Sequence, residues 1–314
     1  MNLPALKGHT AMCCANAIWG LMSPVAKIVI ASGAATSLVV TDLRFFGAMI
    51  LFWLASFFQK PEHVNHRDMA KIFLASLLAI VLNQGFFIFG VGLTSPVNAS
   101  IITTSMPLLA MGLFALYLHE PITGKKVLGI AVGATGALVL IIGSHPGSGS
   151  DTTAGDNIWG DVLVVLAQLS YATYFVLFKH FVSRYSMVTL MKWMFTFAFI
   201  ATLPFSYNSL LATQWTTFDA HTWGAITFIV VGGTFLSYSL IVVGQKNLRP
   251  TVGGMYNYVQ PAVASIAAIY WGLDNFNASK IVAVVLIAGG VYLVTISRSR
   301  AQMEAYKAKG NTRN

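Results

Sequence analysis

The chain predicts an all-α integral membrane protein whose ten transmembrane helices form a five-plus-five inverted-topology repeat. Three observations lead to that expectation. The composition leaves almost nothing to face water, ten apolar runs alternate with lopsided Lys/Arg loops, and the two halves match at a nearly constant offset.

Only 9% of the 314 residues are charged, against roughly a quarter in a soluble domain. Hydrophobic residues make up 56% of the chain and the mean hydropathy is +0.70. A soluble fold of this length needs a polar exterior that these residues cannot build, whereas a bilayer accepts an apolar one. The formal charge of +9 does not indicate nucleic acid, because the bases sit in short loops and near the C-terminus rather than in one stripe. Cys13 and Cys14 are adjacent in the first apolar run, which suits neither a disulfide scaffold nor a metal site. A cleaved signal is not expected. Met12 is bulky where a lipoprotein signal has a small residue, and the apolar run continues past it.

About 20 apolar residues are needed per crossing. That length places spans near 10–31, 36–58, 70–91, 96–118 and 124–143 in a first repeat covering 1–143. A polar linker follows at 144–157. The second repeat, 158–297, has spans near 158–181, 187–206, 222–243, 251–272 and 279–297, and a basic tail occupies 298–314. With both termini placed in the cytoplasm, 15 of the 19 Lys and Arg residues fall in cytoplasmic segments, and Lys27, Arg44 and Lys192 fall inside spans. The positive-inside rule therefore predicts both termini inside.

At an offset of 154, Gly90 meets Gly244, Pro96 meets Pro250, Pro107 meets Pro261, Glu120 meets Asp274 and Gly136 meets Gly290. Lys27 falls on Lys179 at 152, and Arg44 on Lys192 at 148. Five is an odd number of crossings, so the second copy enters the membrane inverted. Secondary transporters recurrently use that device.

Polar side chains inside spans are costly unless they face the bundle interior, so they are the candidate substrate contacts. Asn16 and Trp19 share a face of the first span, and Gln168 and Tyr171 repeat the amide-then-aromatic pair. Interhelical bonding and packing explain these pairs equally well. Asn83 and Phe87, one turn apart beside Gln84, are paralleled by Ser237 and Tyr238. Asn98 and Thr103 follow Pro96. In the ninth span Met255 and Tyr258 are expected on one face, with Tyr256 and Gln260 on another. Pro107 and Pro261 each remove an amide donor, which packing tolerates and a hinge or gate could use. Lys27 and Arg44 are expected to snorkel to the interface, Arg44 with Asp42 as local partner, and Lys27 is a secondary binding candidate. Glu120 and Asp274 are expected to hold loop backbone or a helix start. The series Gly129, Gly133 and Ala137 suits either an intramolecular helix contact or a dimer.

Ala15–Gly20 (ANAIWG), Pro96–Pro107 (PVNASIITTSMP) with Glu120, and Pro250–Pro261 (PTVGGMYNYVQP) with Asp274 together resemble the drug/metabolite transporter superfamily, in particular its EamA-type members. Asp274 stands where the family usually has Glu, and Tyr171 stands opposite Trp19. The resemblance covers roughly residues 9 to 297. It implies a helical bundle around a central cavity and passage of amino acids or other small metabolites, often outward.

The expected function is a membrane carrier for small amphipathic metabolites, using alternating access. No cofactor, metal or nucleic acid is expected; the partners are a small-molecule substrate and the lipid bilayer, and monomer and homodimer both remain open. The chain lacks a phosphate loop and so an ATPase of its own. Two alternatives stand beside the carrier. One is an intramembrane lipid-modifying enzyme, disfavoured because nearly all seven histidines fall in loops or at span ends. The other is a proton-coupled drug exporter, disfavoured because no span holds a central Asp or Glu.

Overall fold

The computed structural model describes residues 3–117, 124–143, 157–182, 184–248, 256–274 and 278–295. Among them all regular structure is helical. Nearly all of the 144–157 linker and the whole 298–314 tail lie outside the described residues, as does Glu120. The rods are α1 (Leu3–Ala31), α2 (Ser37–Ser56), α3 (His66–Leu93), α4 (96–117), α5 (Gly124–Gly143), α6 (Ile158–Val182), α7 (Met187–Ala212), α8 (220–247), α9 (Val259–Tyr270) and α10 (Ala278–Thr295). Seven of them, α1–α4 and α6–α8, are long and apolar enough to cross a membrane by themselves. The apolar stretches of α5 and α10, Val127–Leu140 and Ala278–Leu293, are shorter, and α9 has 12 residues.

Local signals are duplicated between the halves. Thr36 and Ser186 cap α2 and α7, accepting from the amides of Val39 and Thr189. Asn65 and Asp219 cap α3 and α8 in the same way. Both α3 and α8 widen to π-helical pitch midway, over Leu77–Leu82 and Phe228–Leu236. Helix α4 starts with Ser95 as cap and Pro96 in its first turn, breaks at Thr104 and Ser105, and resumes at Met106. The break falls where Pro107 withholds the amide that would continue the ladder. Pro261 lies near the start of α9, just after a 3-10 turn at Tyr256–Tyr258.

Packing follows the duplication. Helix α1 packs on α8 and α9, and α6 correspondingly packs on α3 and α4; α2 packs on α7, α4 on α9 and α5 on α10. Exchanging every helix for its repeat mate leaves those pairings unchanged, as a two-fold relation between halves requires.

Paired glycines let the halves approach. A Cβ on Gly160 of α6 would stand 2.6 Å from the backbone nitrogen of Thr94 and 2.9 Å from the Gly90 carbonyl. Their mates make the matching α1–α8 crossing, where a Cβ on Gly8 would lie 2.8 Å from Leu248 Cγ and one on Gly244 would strike Met12. At the α5–α10 crossing, a Cβ on Gly290 would lie 2.5 Å from the Gly129 carbonyl and 2.7 Å from Gly133 N. The Gly129/Gly133 series is thus engaged within the chain. Aromatic contacts close the α2–α7 seam, with Phe52 stacked on Phe195 and Trp53 edge-on to Trp193. Phe46, Ile50 and Leu54 of α2 and Ile200, Phe205 and Leu211 of α7 point outward, an exterior suited to lipid.

At the α2–α3 connection, both carboxylate oxygens of Glu62 accept from the amide of Ser186, at 2.9 and 3.2 Å. Burial opposes the charged form, but hydrogen bonds from Thr189 and Ser186 and the charge of Lys192 hold this carboxyl below its ordinary 4.5. The lowered value means that the bond stabilises the fold above about pH 4.5 and loses its effect as pH falls through the folded-state value.

Two outcomes are expected in thermal unfolding of detergent-solubilised protein. Gly290→Val costs about 1–3 kcal/mol by overpacking, while Gly289→Ala, which meets nothing within 4 Å, is neutral by comparison. Glu62→Gln lowers the melting temperature at pH 7, and the difference from the parent shrinks steadily as the buffer is acidified below pH 4.5.

Candidate functional site

A cavity of about 600 Å³ lies between the halves, where α1, α3, α4, α6 and α8 converge with the start of α9 and one side chain of α2. Its lining comes largely in repeat mates: Trp19 with Tyr171, Gln84 with Tyr238, Phe87 with Ile241, Thr103 with Asn257, and Met106 with Gln260. Met12, Met22, Asn83, Gln168, Phe175, Leu248 and Arg44 complete it. The Gln84 Nε2 donates to the Tyr238 hydroxyl at 2.9 Å, so two residues 154 apart bond to each other where the halves meet.

The π stretches hold this centre. Trp19 Nε1 donates to the Gly233 carbonyl at 3.0 Å, and Ser170 Oγ of α6 donates to the Leu78 carbonyl at 2.7 Å. Each first helix of a repeat therefore bonds to the π stretch of the opposite half. Just past the first stretch, Asn83 Nδ2 donates to the Ala167 carbonyl at 2.8 Å. Interruptions of this kind are frequent at functional sites because they re-aim the side chains that follow. Here those side chains are Asn83 and Gln84 in one half and Ser237 and Tyr238 in the other.

Of the residues expected to contact substrate, Trp19, Asn83, Phe87, Gln168 and Tyr171 line the cavity. Asn16 sits behind it, fully buried, donating to the Met12 carbonyl and accepting from Gln260 Nε2 at 2.7 Å. Gln260 in turn accepts from Thr103 Oγ1, and so ties α1, α4 and α9 together. Asn98 is fully buried away from the cavity; its Nδ2 lies 3.4 Å from Asp161 Oδ2, while Thr94 donates to Asp161 Oδ1. Ser237 donates to the Gly232 carbonyl within α8. Met255 lies outside the described residues. Tyr258 lies off the cavity, and its buried hydroxyl has no hydrogen-bond partner. It is Gln260, expected on the other face, that reaches the lining. Pro107 and Pro261 border the site without lining it.

The two bases expected to snorkel do not. Lys27 is buried and donates to the carbonyls of Gly92 and Thr94, each at 3.0 Å, closing the end of α3. Arg44 is 3% exposed and faces the cavity, with Nε donating to Thr234 Oγ1 at 2.6 Å. Asp42 is not its hydrogen-bond partner: it accepts from Thr202 of α7 at 2.5 Å. Two residues on a helix point to nearly opposite sides, so Asp42 and Arg44 cannot share a face. The spacing Val40–Arg44–Ala48, all buried, against exposed Phe46 and Ile50, is the signal that could have placed Arg44 inward. Lys192, aligned with Arg44 in the second repeat, instead lies 4.7 Å from the centre of the Trp53 ring. Asp274 takes an ion pair from Lys280. No group of metal-ligating side chains occurs among the described residues.

A bundle of ten described helices with duplicated halves and a polar-aromatic chamber between them defines a membrane transporter. The chain belongs to the EamA-like transporter family, whose pattern matches residues 6–142 and again 158–296. It is 25% identical over 280 residues to an uncharacterized transporter of Archaeoglobus fulgidus, covering 89% of this chain and 95% of that one. It is 21% identical to the uncharacterized transporter YetK of Bacillus subtilis, covering 83% of this chain and 76% of that one. A WAT1-related protein of Arabidopsis thaliana is 24% identical, with 92% and 78% covered. A solved crystal structure superposes with a TM-score of 0.59 over 93% of this chain and 96% of its own, at 16% identity, which shows the shared fold. The family and the two microbial relatives are named as transporters rather than enzymes.

In a Cys13→Ala/Cys14→Ala background, Gln168→Cys and Thr103→Cys should react with a small maleimide in membranes. Asn98→Cys should stay unmodified, which mass spectrometry of the labelled protein would read directly.

Proposed function

We propose that this chain is a carrier for small amphipathic metabolites, amino acids or related compounds, working by alternating access between its two halves. The observation that carries the reading is the composition of the chamber. Flat aromatic walls (Trp19, Tyr171, Tyr238, Phe87) stand beside amides (Asn83, Gln84, Gln168, Gln260) in a space of about 600 Å³. That volume suits a single small molecule, and such a lining suits a solute with one apolar and one polar end. Two similar antiparallel halves supply the mechanical premise, because each can take the other's role as inner or outer gate. The paired prolines, Pro107 at the break in α4 and Pro261 at the start of α9, are the places where those halves would bend. The Lys/Arg distribution supports both termini in the cytoplasm, and membership of the EamA-like family supports an exporter or facilitator in a bacterial inner membrane.

Purified protein in liposomes should give saturable flux of at least one amphipathic amino acid or related metabolite. Trp19→Ala and Gln168→Ala should each cut that flux ~10-fold or more, the scale of losing one or two good contacts. Liposomes that pass no such solute would sink the proposal.

A further inference from the structure

Arg44 is the one charged side chain lining the chamber among the described residues. Its guanidinium Nη1 is buried without a hydrogen-bond partner, while Nε is anchored on Thr234. No described carboxylate pairs with it. Asp42, the nearest in sequence, is bonded to Thr202, and Lys192, its mate in the second repeat, sits on Trp53. A guanidinium at the wall of a cavity in an apolar bundle, with one buried donor unpartnered, is unfavourable unless something negative lies near it. A second unpaired group stands in the same chamber. Gln84 gives its amide nitrogen to Tyr238, and its Oε1 is a buried acceptor with no partner.

From these two unpaired atoms we infer that the carrier's substrate is an organic monoanion. Its carboxylate sits on Arg44, an N–H beside the carboxylate donates to Gln84 Oε1, and its apolar body lies against Trp19, Tyr171 and Phe87. The inference rests on the carrier reading above and narrows it. One guanidinium is neutralised by one negative charge. A dianion such as a phosphate monoester would leave a negative charge among apolar walls, and a zwitterion would leave the positive one uncompensated. An N-acylated amino acid has the matching charge and the matching donor. Thr234, a neutral hydroxyl, positions the guanidinium rather than competing for the substrate's charge.

The test uses the full chain in lipid nanodiscs and probes that differ in one feature. N-acetyl-L-phenylalanine should bind at least ~10-fold more tightly than N-acetyl-L-phenylalaninamide, as read by tryptophan fluorescence or thermal shift; the charge-assisted bond is what the amide lacks. Arg44→Lys should keep the preference for the acid. Arg44→Gln should bring the ratio close to one while the amide still binds, a change that loss of fold would not produce. Gln84→Leu should weaken N-acetyl-L-phenylalanine but not 3-phenylpropionate, which has no N–H. Equal binding of acid and amide, no binding of the acid, tighter binding of phenyl phosphate or of L-phenylalanine, or a preference that survives Arg44→Gln would each overturn the inference. The outcome for the carrier reading is separate: liposomes that transport neutral amides as fast as acids leave a carrier without an anion site, whereas liposomes that transport nothing remove the carrier itself.

Discussion

The hydrogen bond between Gln84 and Tyr238 joins two residues at the same place in the two repeats, and the architecture around it follows from that meeting. Such a contact can form only where a pseudo-two-fold axis runs, because only there does a residue approach its own mate. Helices α3 and α8 must therefore both reach the centre with polar side chains facing one another. Their π stretches end immediately before those residues, and the opposite half's first helix bonds to each stretch through Trp19 or Ser170. The centre is polar because two copies of one polar turn are brought face to face there.

Close approach of backbones is the second constraint, and it serves the first. In lipid, apolar side chains gain little by leaving one hydrocarbon environment for another, so helices associate through tight packing and interhelical hydrogen bonds. Gly90 with Gly160, Gly8 with Gly244, and Gly290 with Gly129 and Gly133 provide that closeness at three crossings. The first two crossings are mates, which keeps the two sides of the chamber alike in depth. The chamber then departs from symmetry in charge. Arg44 enters it from α2, while the aligned Lys192 of α7 turns to Trp53. Among the described residues, a duplicated scaffold thus carries a single positive group on one wall of the chamber.

Buried polar groups away from the chamber do a different job. Lys27, Thr94, Asn98 and Asp161 gather where α1, α3, α4 and α6 meet, with Lys27 on the carbonyls that end α3 and Asp161 held by Thr94. Carbonyls at a helix end have no partner within the helix, and lipid offers none. A lysine reaching them closes that end. Asn98 belongs to this junction, although as an amide in a span it looks identical in sequence to Asn83, which reaches the cavity. The two differ only in which neighbour is close enough to claim the amide.

The membrane class, the duplication and the break at Pro107 were legible in the chain itself, since each rests on local chemistry; the π stretches of α3 and α8 were not. A bilayer demands long apolar runs, Pro107 withholds an amide wherever it stands, and two copies of one sequence pattern share one fold. Trp19, Tyr171, Asn83, Phe87 and Gln168 were also legible as polar or aromatic residues with mates at helical spacing. What only the tertiary structure decided is the direction of each face. Helical periodicity says which residues of one helix point the same way, but not which partner helix, cavity or lipid they meet. Arg44 shows the difference: seven residues into its span it reads as a base within reach of the interface, and packing of α2 against α7 and α8 turns it inward.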